Sequence, residues 1–396
     1  MKDRIIQSLN NLLYWVRENK YYGYDPYDGL NSNLFKNIRN PYLAFLLIQF
    51  NKYCPINFRP LFRIKKGIDI KGTALFTIGY TYLHDFLPYD VFLDEAKNCL
   101  EIIIKKSLIS KYGHHCWASH YYPYVAVDKS ILDPMIPDII ATTRAIISLI
   151  RVYSILREER IKNIALNAAK FITSINFVLR KGSMLFFKYT PLEDRKIILN
   201  ASAQALEAIA TILSIMKDDE LRSIGENSAI SLIKLQNDDG SWDYSIYENG
   251  RRYRQLDFHQ GYMIDGLLAF LPFASSDIRD DIKYAIESGV KFYRKMFLPN
   301  GQSFYRYPKL YPTDIHNQAQ GIITFSKLFC ELNEEEHLRF AQRILLWTIE
   351  NMQDPMGFFY YQNYRFFKNK IPYMRWGQAW MMLAMAIFLS SARRSK

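Results

Sequence analysis

The sequence lacks the features that mark secreted or membrane-spanning chains. It has four cysteines with neither CxxC pairing nor metal-ligand spacing, which is typical of reduced thiols: Cys54, Cys99, Cys116 and Cys330. No run reaches about 18 consecutive apolar residues, so no membrane-spanning helix is expected. The first twenty residues are amphipathic and have neither the apolar core nor the cleavage site of a signal peptide. These absences predict a cytoplasmic protein.

The sequence also lacks a recognisable nucleic-acid-binding module, although its formal charge is +12. The basic residues are spread along predicted helix faces, with only short runs such as RIKKG and ARRSK. We therefore predict no nucleic-acid partner. The charge indicates an acidic partner, and a uronate-rich polysaccharide or peripheral contact with a membrane would both fit it. Aromatic residues are abundant, at 15%; either a coding bias or a ring-lined cleft explains them.

A repeat of strongly apolar helices runs along the chain. Six such segments, each opened by a polar boundary, are spaced about 57 to 69 residues apart and begin at Asp69, Asp138, Asn200, Asp257, Asp314 and Met374. Each of the first five is followed by a helix with apolar residues on one face only. Buried inner helices paired with half-buried outer ones predict an all-α fold, an (α/α)6 toroid of six helical hairpins.

The N-terminal helix, residues 1–18, can supply the missing sixth outer helix. It has an apolar face formed by Ile5, Leu9, Leu12, Leu13 and Val16. We expect it to pack beside the inner helix starting at Met374 and close the ring, so that residues 1–396 form a single domain. The alternative is an open solenoid, which would need capping helices.

Turn-rich aromatic segments lie between each outer helix and the next inner helix. Five of them are residues 111–124, 180–191, 236–245, 299–307 and 354–364, each with a glycine followed by closely spaced rings. The segment YYGYDPYDGLNS, residues 21–32, is the sixth. All six are expected as short aromatic β-turn loops on one rim of the toroid, where they would surround a mouth.

Two of these segments resemble known families. QNDDGSWDY, residues 236–244, is similar to the repeat of prenyltransferases and squalene cyclases, and the same turn occurs in toroidal sugar enzymes. The cyclase Asp-rich acid motif is absent, which makes prenyl chemistry the weakest reading. DIRDD, residues 277–281, looks like a terpene-synthase metal motif, but it opens an outer helix, where acidic residues favour the helix dipole. We predict no metal there.

GYDPYDGLNS, residues 23–32, resembles a loop of bacterial and archaeal proteins found in polysaccharide-biosynthesis gene clusters. The plan of the whole chain is also similar to unsaturated glucuronyl hydrolases, glucuronyl epimerases and N-acylglucosamine 2-epimerases. The resemblance implies glycan chemistry without fixing the reaction, and it implies an oligosaccharide or polysaccharide substrate, with polysaccharide-assembly proteins as further partners. No cofactor is expected.

The polar residues at the N-termini of the inner helices are the candidates for chemistry, because free backbone N–H groups and the positive dipole end point to the mouth there. Asp-x-His occurs twice at one repeat position, as Asp257/His259 and Asp314/His316, although either aspartate could be only an N-cap. Catalytic roles are expected for His259, His316, Asp28, Asp257, Asp314 and Tyr121. Sugar-binding roles are expected for Tyr24, Asp25, Tyr27, Asn31, His115, Trp117, Trp242, Gln318, Arg375, Trp376 and Gln378.

Several readings of these residues stay open. The three histidines of GHHCWASHYYPY could stack with sugars or belong to a structural loop, and a metal role is disfavoured because no carboxylate spacing accompanies them. Asp25 and Asp28 could be turn residues or acid and base catalysts.

Three functions are therefore weighed. An epimerase or lyase would use a histidine or tyrosine base (His259, His316 or Tyr121), with Arg375 holding the uronate carboxylate of a cell-surface or exopolysaccharide glycan. A glycoside hydrolase would pair Asp25 or Asp28 with Asp257 or Asp314. A glycan-binding subunit would need no catalytic pair, and its aromatic residues, such as Trp117, Trp242 and Tyr27, would stack on sugars.

Overall fold

Helices form most of the chain in the computed structural model, which describes residues 2–35, 37–125, 131–192 and 196–394. In chain order the α-helices are α1 (Lys2–Glu18), α2 (Pro41–Tyr53), α3 (Ile70–Phe86), α4 (Asp90–Lys105), α5 (Ile109–Tyr112), α6 (Ile139–Leu156), α7 (Glu159–Ile172), α8 (Leu199–Leu213), α9 (Asp219–Lys234), α10 (His259–Phe270), α11 (Ser276–Arg294), α12 (Ile315–Leu332), α13 (Glu335–Met352) and α14 (Trp380–Arg394). A π-helical stretch, Met374–Ala379, leads directly into α14.

Six of these helices form a closed inner ring. They are α3, α6, α8, α10, α12 and α14; each contacts the next, and α14 contacts α3. The helices α4, α7, α9, α11 and α13 each pack outside the inner helix that precedes them, and α1 packs against α13 and α14. The buried apolar residues of α1 are Ile5, Leu9, Leu12, Leu13 and Val16. The predicted (α/α)6 toroid is confirmed.

The inner and outer helices differ in burial as their apolar patterns predict. Nearly every residue of α8 is buried, from Leu199 to Ala210, whereas α11 buries only a stripe on one face. Within the described residues one helix, α6, is long and apolar enough to cross a membrane by composition, and 72% of it is buried inside the protein. Its apolar character is therefore accounted for by its place in the inner ring.

Short antiparallel strands hold the connecting loops together on one rim. In chain order they are β1 (Tyr124–Val125), β2 (Ile131–Leu132), β3 (Val178–Lys181), β4 (Met184–Phe187), β5 (Lys196–Ile198), β6 (Ser245–Tyr247), β7 (Arg252–Tyr253), β8 (Thr313–Asp314), β9 (Gln362–Asn363) and β10 (Lys368–Asn369). Loops of neighbouring hairpins pair with each other, as Ile197 does with Ile246 and Asp314 with Gln362. Cross-hairpin pairing of this kind places the loops at the N-terminal ends of the inner helices.

Glycines in three of these loops permit close packing against the next outer helix. Gly240, Gly301 and Gly357 have φ values of 86°, 98° and 103°, which favour glycine. A Cβ at Gly240 would lie 2.2 Å from the carbonyl oxygen of Ser288 in α11, and one at Gly357 would lie 2.3 Å from that of Asn11 in α1. The recurring glycine is thus a packing requirement of the repeat.

The segment 21–32, called here the rim loop, lies across the rim between distant parts of the chain. Gly23 forms a β-bridge with Gly67, and Tyr24 forms one with Tyr373. Leu30 packs against Ala44 and Ile48 of α2, which therefore lies over the rim loop. The rim loop and α2 together cover one side of the mouth.

Candidate functional site

Three of the six inner helices are capped at the N-terminal end by buried aspartates. Asp69, Asp138 and Asp314 accept hydrogen bonds from the backbone N–H groups of Gly72, Ala141 and His316 at 2.8, 2.8 and 2.9 Å. Asp314 also accepts from Gln362 and from Trp376 Nε1, which leaves its carboxylate fully engaged. Asp314 was expected to be catalytic, but in the structure it caps the helix and holds Gln362 and Trp376.

Asp257 is arranged differently, because it holds a histidine side chain. His259 Nδ1 lies 2.5 Å from Asp257 Oδ1, and Gln255 donates to the other carboxylate oxygen. The second ring nitrogen of His259, Nε2, makes no hydrogen bond to any described residue, and 14% of the side chain is exposed. A carboxylate that orients an imidazole with a free, accessible nitrogen is the arrangement of a general base and its positioning partner.

His316 lies directly beside this pair but is buried. Its Nε2 is hydrogen-bonded to the Tyr262 hydroxyl at 2.6 Å, while Nδ1 is buried without a partner in the described chain. Phe258 contacts both histidines, with ring centroids 4.2 Å from His259 and 4.1 Å from His316. Burial, followed by the nearby Lys71 and Arg375 charges, holds the pKa of His316 well below its ordinary value. His316 is therefore a neutral imidazole beneath the accessible one.

A row of half-buried rings crosses the mouth above His316, and we call it the mouth strip: Tyr244, His259, Phe258, Trp376 and Tyr27. Successive ring centroids are 4.7, 4.2, 5.8 and 6.0 Å apart. Half-exposed aromatic faces of this kind suit flat, partly apolar ligands. The structure thus brings together Tyr27, Trp376 and His259 from three distant parts of the sequence.

Arg375, expected to hold a substrate carboxylate, is already paired with two carboxylates of the protein. Its guanidinium lies 2.6 Å from Asp25 and 3.2 Å from Asp69, and the side chain is buried. Although burial alone would raise it, the Arg375 charge holds the pKa of Asp25 below its ordinary value. Both residues are therefore committed to fixing the rim loop onto the last inner helix.

Lys71 is a buried cation without such a partner. It makes no hydrogen bond and no ion pair with any described residue, and its Nζ lies 5.3 Å from the ring centre of Trp380. Desolvation, assisted by the Arg375 and Arg144 charges, lowers the pKa of Lys71 to about 7. Desolvation likewise raises the pKa of the neighbouring Asp69 to about 7. Lys71 is thus a buried cation near His316 that has no ion-pair partner among the described residues, although the Asp69 and Asp138 charges act on it from a distance.

The second aspartate of the rim loop points away from the mouth. Asp28 is fully buried against Arg59, with Oδ1 2.7 Å from Nε, and Asp28 Oδ2 accepts from the backbone N–H of Asp25. Desolvation outweighs the Arg59 charge and raises the pKa of Asp28 to about 7. The expectation that Asp28 serves as a catalyst at the mouth is not met, because the pair is sealed beneath the loop.

Three further predicted residues hold the rim loop in place. Tyr121 donates its hydroxyl to the backbone oxygen of Gly23 at 2.9 Å. Asn31 donates its side-chain amide to the backbone oxygen of Lys65 at 2.8 Å. Tyr24 pairs its backbone with Tyr373. Their contacts are those of loop anchors and differ from the catalytic or sugar-binding roles that were expected.

The predicted stacking residues Trp117 and Trp242 lie in the core. Their indole N–H groups donate to the backbone oxygens of Ile103 and Leu232 at 2.7 and 2.9 Å, and neither ring is exposed. A sugar cannot reach them there. His115 stacks on Trp117 and lies 2.9 Å from the Ser107 hydroxyl, so it also belongs to this packing and not to the mouth strip.

The glutamines near the inner-helix N-termini clamp the preceding loop. The side-chain amide of Gln378 accepts a hydrogen bond from the backbone N–H of Phe359 at 2.7 Å and donates one to the Phe359 carbonyl at 2.8 Å. Gln318 similarly receives the N–H of Ser303 and donates to the carbonyl of Gly301. Gln260 does the same for Trp242. Gln318 and Gln378 are therefore structural, and their polar character serves the repeat instead of a ligand.

Several residues of the candidate site are not predicted from the sequence patterns. Lys71 could have been noticed as a charge in the first turn of an otherwise apolar inner helix. Phe258 lies between the two singled-out residues Asp257 and His259. Nothing in the sequence distinguishes three further site residues, because aromatic residues are common throughout the chain: Tyr244, Tyr262 and Trp380.

A cavity of about 1000 Å³ opens at the opposite end of the ring, lined by the C-terminal halves of the inner helices. Four of its charged residues are paired with each other: Arg144 and Lys327 each lie 2.7 Å from Glu207, and Lys327 lies 3.1 Å from Asp265. The two histidines lie at the other end of the ring. We therefore place the candidate site at the mouth strip.

No group of three or more histidine, cysteine, aspartate and glutamate side chains in the described ranges is arranged to hold a metal ion. Residues 277–281 lie in the first turns of the outer helix α11, as the sequence indicated.

Among known proteins, the chain is similar to solved structures in fold and has no match by sequence. No family model matches the sequence, and no curated protein matches it in a sequence search. The fold is similar to that of an α-mannanase of glycoside hydrolase family 76 from Bacteroides thetaiotaomicron, with a TM-score of 0.64 and 12% identity over 83% of this chain and 87% of that one.

Two further solved structures share the fold. A cellobiose 2-epimerase from Bacillus thermoamylovorans has a TM-score of 0.60 and 12% identity, covering 83% of this chain and 90% of that one. An unsaturated glucuronyl hydrolase specific for heparin has a TM-score of 0.63 and 11% identity, covering 100% of this chain and 99% of that one. At these identities the likeness shows the toroid fold, and the similarity in plan that the sequence indicated is confirmed.

Proposed function

We propose that this protein is a carbohydrate-active enzyme whose catalytic base is His259, at the mouth strip. The observation that carries the proposal is the Asp257–His259 pair, which leaves Nε2 unpaired and accessible among half-exposed rings. The structural neighbours named as a mannanase, an epimerase and a glucuronyl hydrolase support a saccharide substrate.

The reaction proposed is proton abstraction from an acidic sugar. His259 Nε2 takes the proton from the carbon that bears a uronate carboxylate, and the electron pair of the broken C–H bond moves into the carboxylate. Lys71 is the cation available to stabilise the negative charge that develops there. Protonation of the opposite face by water, with His259 then losing its proton to solvent, gives the epimer. Expulsion of the substituent on the next carbon, with its oxygen protonated by His259, gives a lyase product with a new double bond.

The hydrolase alternative is less well supported by the contacts. Glycoside hydrolysis generally needs two carboxyl groups about 5 to 10 Å apart, one on each side of the bond that breaks. Asp25, Asp28 and Asp314 are each buried with charged or hydrogen-bonding partners, and Asp257 is engaged by His259. Proton transfer by His259 instead uses Nε2, which has no hydrogen-bond partner among the described residues.

The proposal is tested by solvent deuterium exchange. Uronate-containing and neutral oligosaccharides are incubated with the protein in heavy water, and the carbon next to the carboxylate is followed by NMR. The intact protein should introduce deuterium or a double bond into an acidic glycan, and His259→Ala should reduce the rate about 100- to 10,000-fold. His115→Ala is the matched control, because that histidine lies outside the mouth, and it should retain full activity.

Other outcomes separate the alternatives. New reducing ends without deuterium at that carbon would indicate a hydrolase and would overturn the assignment of His259 as the base. Glycan binding without any turnover would indicate a non-catalytic glycan-binding protein. Equal activity of the intact protein and His259→Ala would also contradict the proposal.

A further inference from the structure

The helix α2 exposes an apolar face to solvent. Its residues Ala44, Ile48 and Asn51 are buried against the rim loop side, while the opposite side carries the apolar face of α2: Tyr42, Leu43, Leu46, Phe50 and Tyr53. Leu43 is 54% exposed and Leu46 is 63% exposed. A helix that packs one side on the protein would ordinarily present polar residues on the other side.

The exposed apolar surface continues beyond the helix. Phe50 contacts Phe58 and Phe62, with ring centroids 5.6 and 6.1 Å apart, and Phe62 contacts Phe35. Leu34, Ile56 and Leu61, all more than half exposed, lie in the same segment of the chain. Elsewhere in the described chain the large exposed apolar side chains are scattered, which is normal for a protein surface. A concentration of this kind marks an interaction surface.

The charge of this segment indicates the partner. Residues 33–68 contain no aspartate or glutamate, but they contain basic residues both before and after α2 in the sequence. Arg39, Arg63, Lys65 and Lys66 are exposed, and none of them makes an ion pair with a described carboxylate. Arg63 directly follows Phe62, so unpaired cations border the apolar surface. Apolar side chains beside unpaired basic ones match a membrane interface with anionic headgroups.

We propose that the apolar face of α2 docks on an anionic lipid surface, with Arg39, Arg63 and Lys65 contacting the headgroups. This inference is independent of the proposed reaction. The other side of α2 packs on the rim loop, and Lys52 donates to the Tyr27 hydroxyl of the mouth strip at 2.9 Å. Docking through α2 therefore holds the mouth beside the membrane surface.

Vesicle sedimentation with the full-length protein tests the proposal. The protein should bind vesicles of phosphatidylcholine and phosphatidylglycerol, bind pure phosphatidylcholine much more weakly, and lose affinity as salt is added. Leu43→Asp/Leu46→Asp should weaken binding about tenfold or more, because two apolar side chains no longer enter the interface. Tyr284→Asp is the matched control: Tyr284 is 72% exposed on α11, away from this surface, and its replacement should change nothing.

A second variant reports insertion directly. Leu46→Trp should show a blue-shifted emission with anionic vesicles that is quenched by brominated acyl chains. Failure of the intact protein to bind anionic vesicles, or equal binding by the double variant and the control, would overturn the proposal. A lipid-free dimer that Leu43→Asp/Leu46→Asp dissociates, with no vesicle binding, would show a protein interface and overturn it too.

Discussion

Each side of the mouth pairs an aspartate with a basic side chain, but the two pairs differ in what they leave free. On the rim-loop side, Asp28 pairs with Arg59 and both side chains are completely buried. The remaining Arg59 nitrogens donate to the backbone oxygens of Asn51 and Asp25 at 3.1 and 3.0 Å, so each of the three guanidinium nitrogens has a partner. On the other side, Asp257 pairs with His259 and leaves one nitrogen free and accessible.

This contrast separates a pair that fixes a loop from one that leaves a side-chain nitrogen available. A buried carboxylate needs partners for all its lone pairs, because desolvating an unpaired charge is costly. In the rim loop, each carboxylate oxygen of Asp25 and Asp28 has a partner, and the result is a fixed loop. In the pair at the mouth strip, 14% of the His259 side chain is exposed, so Nε2 can remain without a protein partner. The candidate site is distinguished by a side-chain nitrogen that has no hydrogen-bond partner and is open to solvent, and not by the type of its residues.

The largest effect is expected from breaking the sealed pair. Arg59→Met should lower the free energy of unfolding by about 3 to 5 kcal/mol, because the Asp28 carboxylate is left buried without its counter-charge. Denaturant unfolding monitored by circular dichroism measures it. Lys97→Met is the control: it breaks the exposed pair with Asp94 and should cost less than about 1 kcal/mol. Equal stability of the two variants would remove the contrast between the two sides.

Asp257→Asn should weaken the reactive pair without unfolding the protein. A hydrogen bond to a charged group is worth about 1.5 to 3 kcal/mol, so kcat should fall about 10- to 150-fold while KM changes little. Asp257→Glu should restore part of the activity if the carboxylate positions His259. A variant that raises KM but keeps kcat would instead place Asp257 in direct contact with the substrate.

Gln378→Met should affect stability and leave activity unchanged. The backbone N–H and carbonyl of Phe359 lose their partner, and a buried unsatisfied group costs about 1 to 3 kcal/mol. Thermal unfolding reports the loss, and kcat and KM are measured well below the melting temperature. Weakened glycan binding at unchanged stability would return Gln378 to the sugar-binding role that the sequence suggested.

The smallest effect is expected in the pH dependence of binding. Because burial lowers the pKa of Lys71 to about 7, the cation is present below pH 7 and is lost above it. Calorimetry should show affinity for an acidic glycan falling by up to about tenfold per pH unit above 7, while neutral glycans bind equally at all pH values. Lys71→Met should bind the acidic glycan weakly with no such pH dependence. A pH dependence that survives in Lys71→Met would exclude Lys71 as the source.

The site was only partly predictable, because equivalent repeat positions acquired different partners. Asp-x-His occurs at Asp257/His259 and at Asp314/His316, which predicts equivalent roles. In the structure Asp314 is enclosed by Gln362 and Trp376, and His316 turns inward to Tyr262. His259 keeps its aspartate and its access to solvent. Both copies of the motif lie in the region of the candidate site, and their surroundings leave a ring nitrogen accessible in one copy and enclose the other.

The sequence by itself determined the inner and outer helices, the glycine turns between them and the rim on which polar residues gather. These features depend on local periodicity and turn chemistry, which each short stretch carries in full. Which polar side chains already have hydrogen-bond or ion-pair partners depends on the tertiary structure. Asp25 meets Arg375 from 350 positions away, and Tyr27 reaches Trp376 across the closed ring. Burial and pairing depend on every element that packs around a group, so no local pattern contains them.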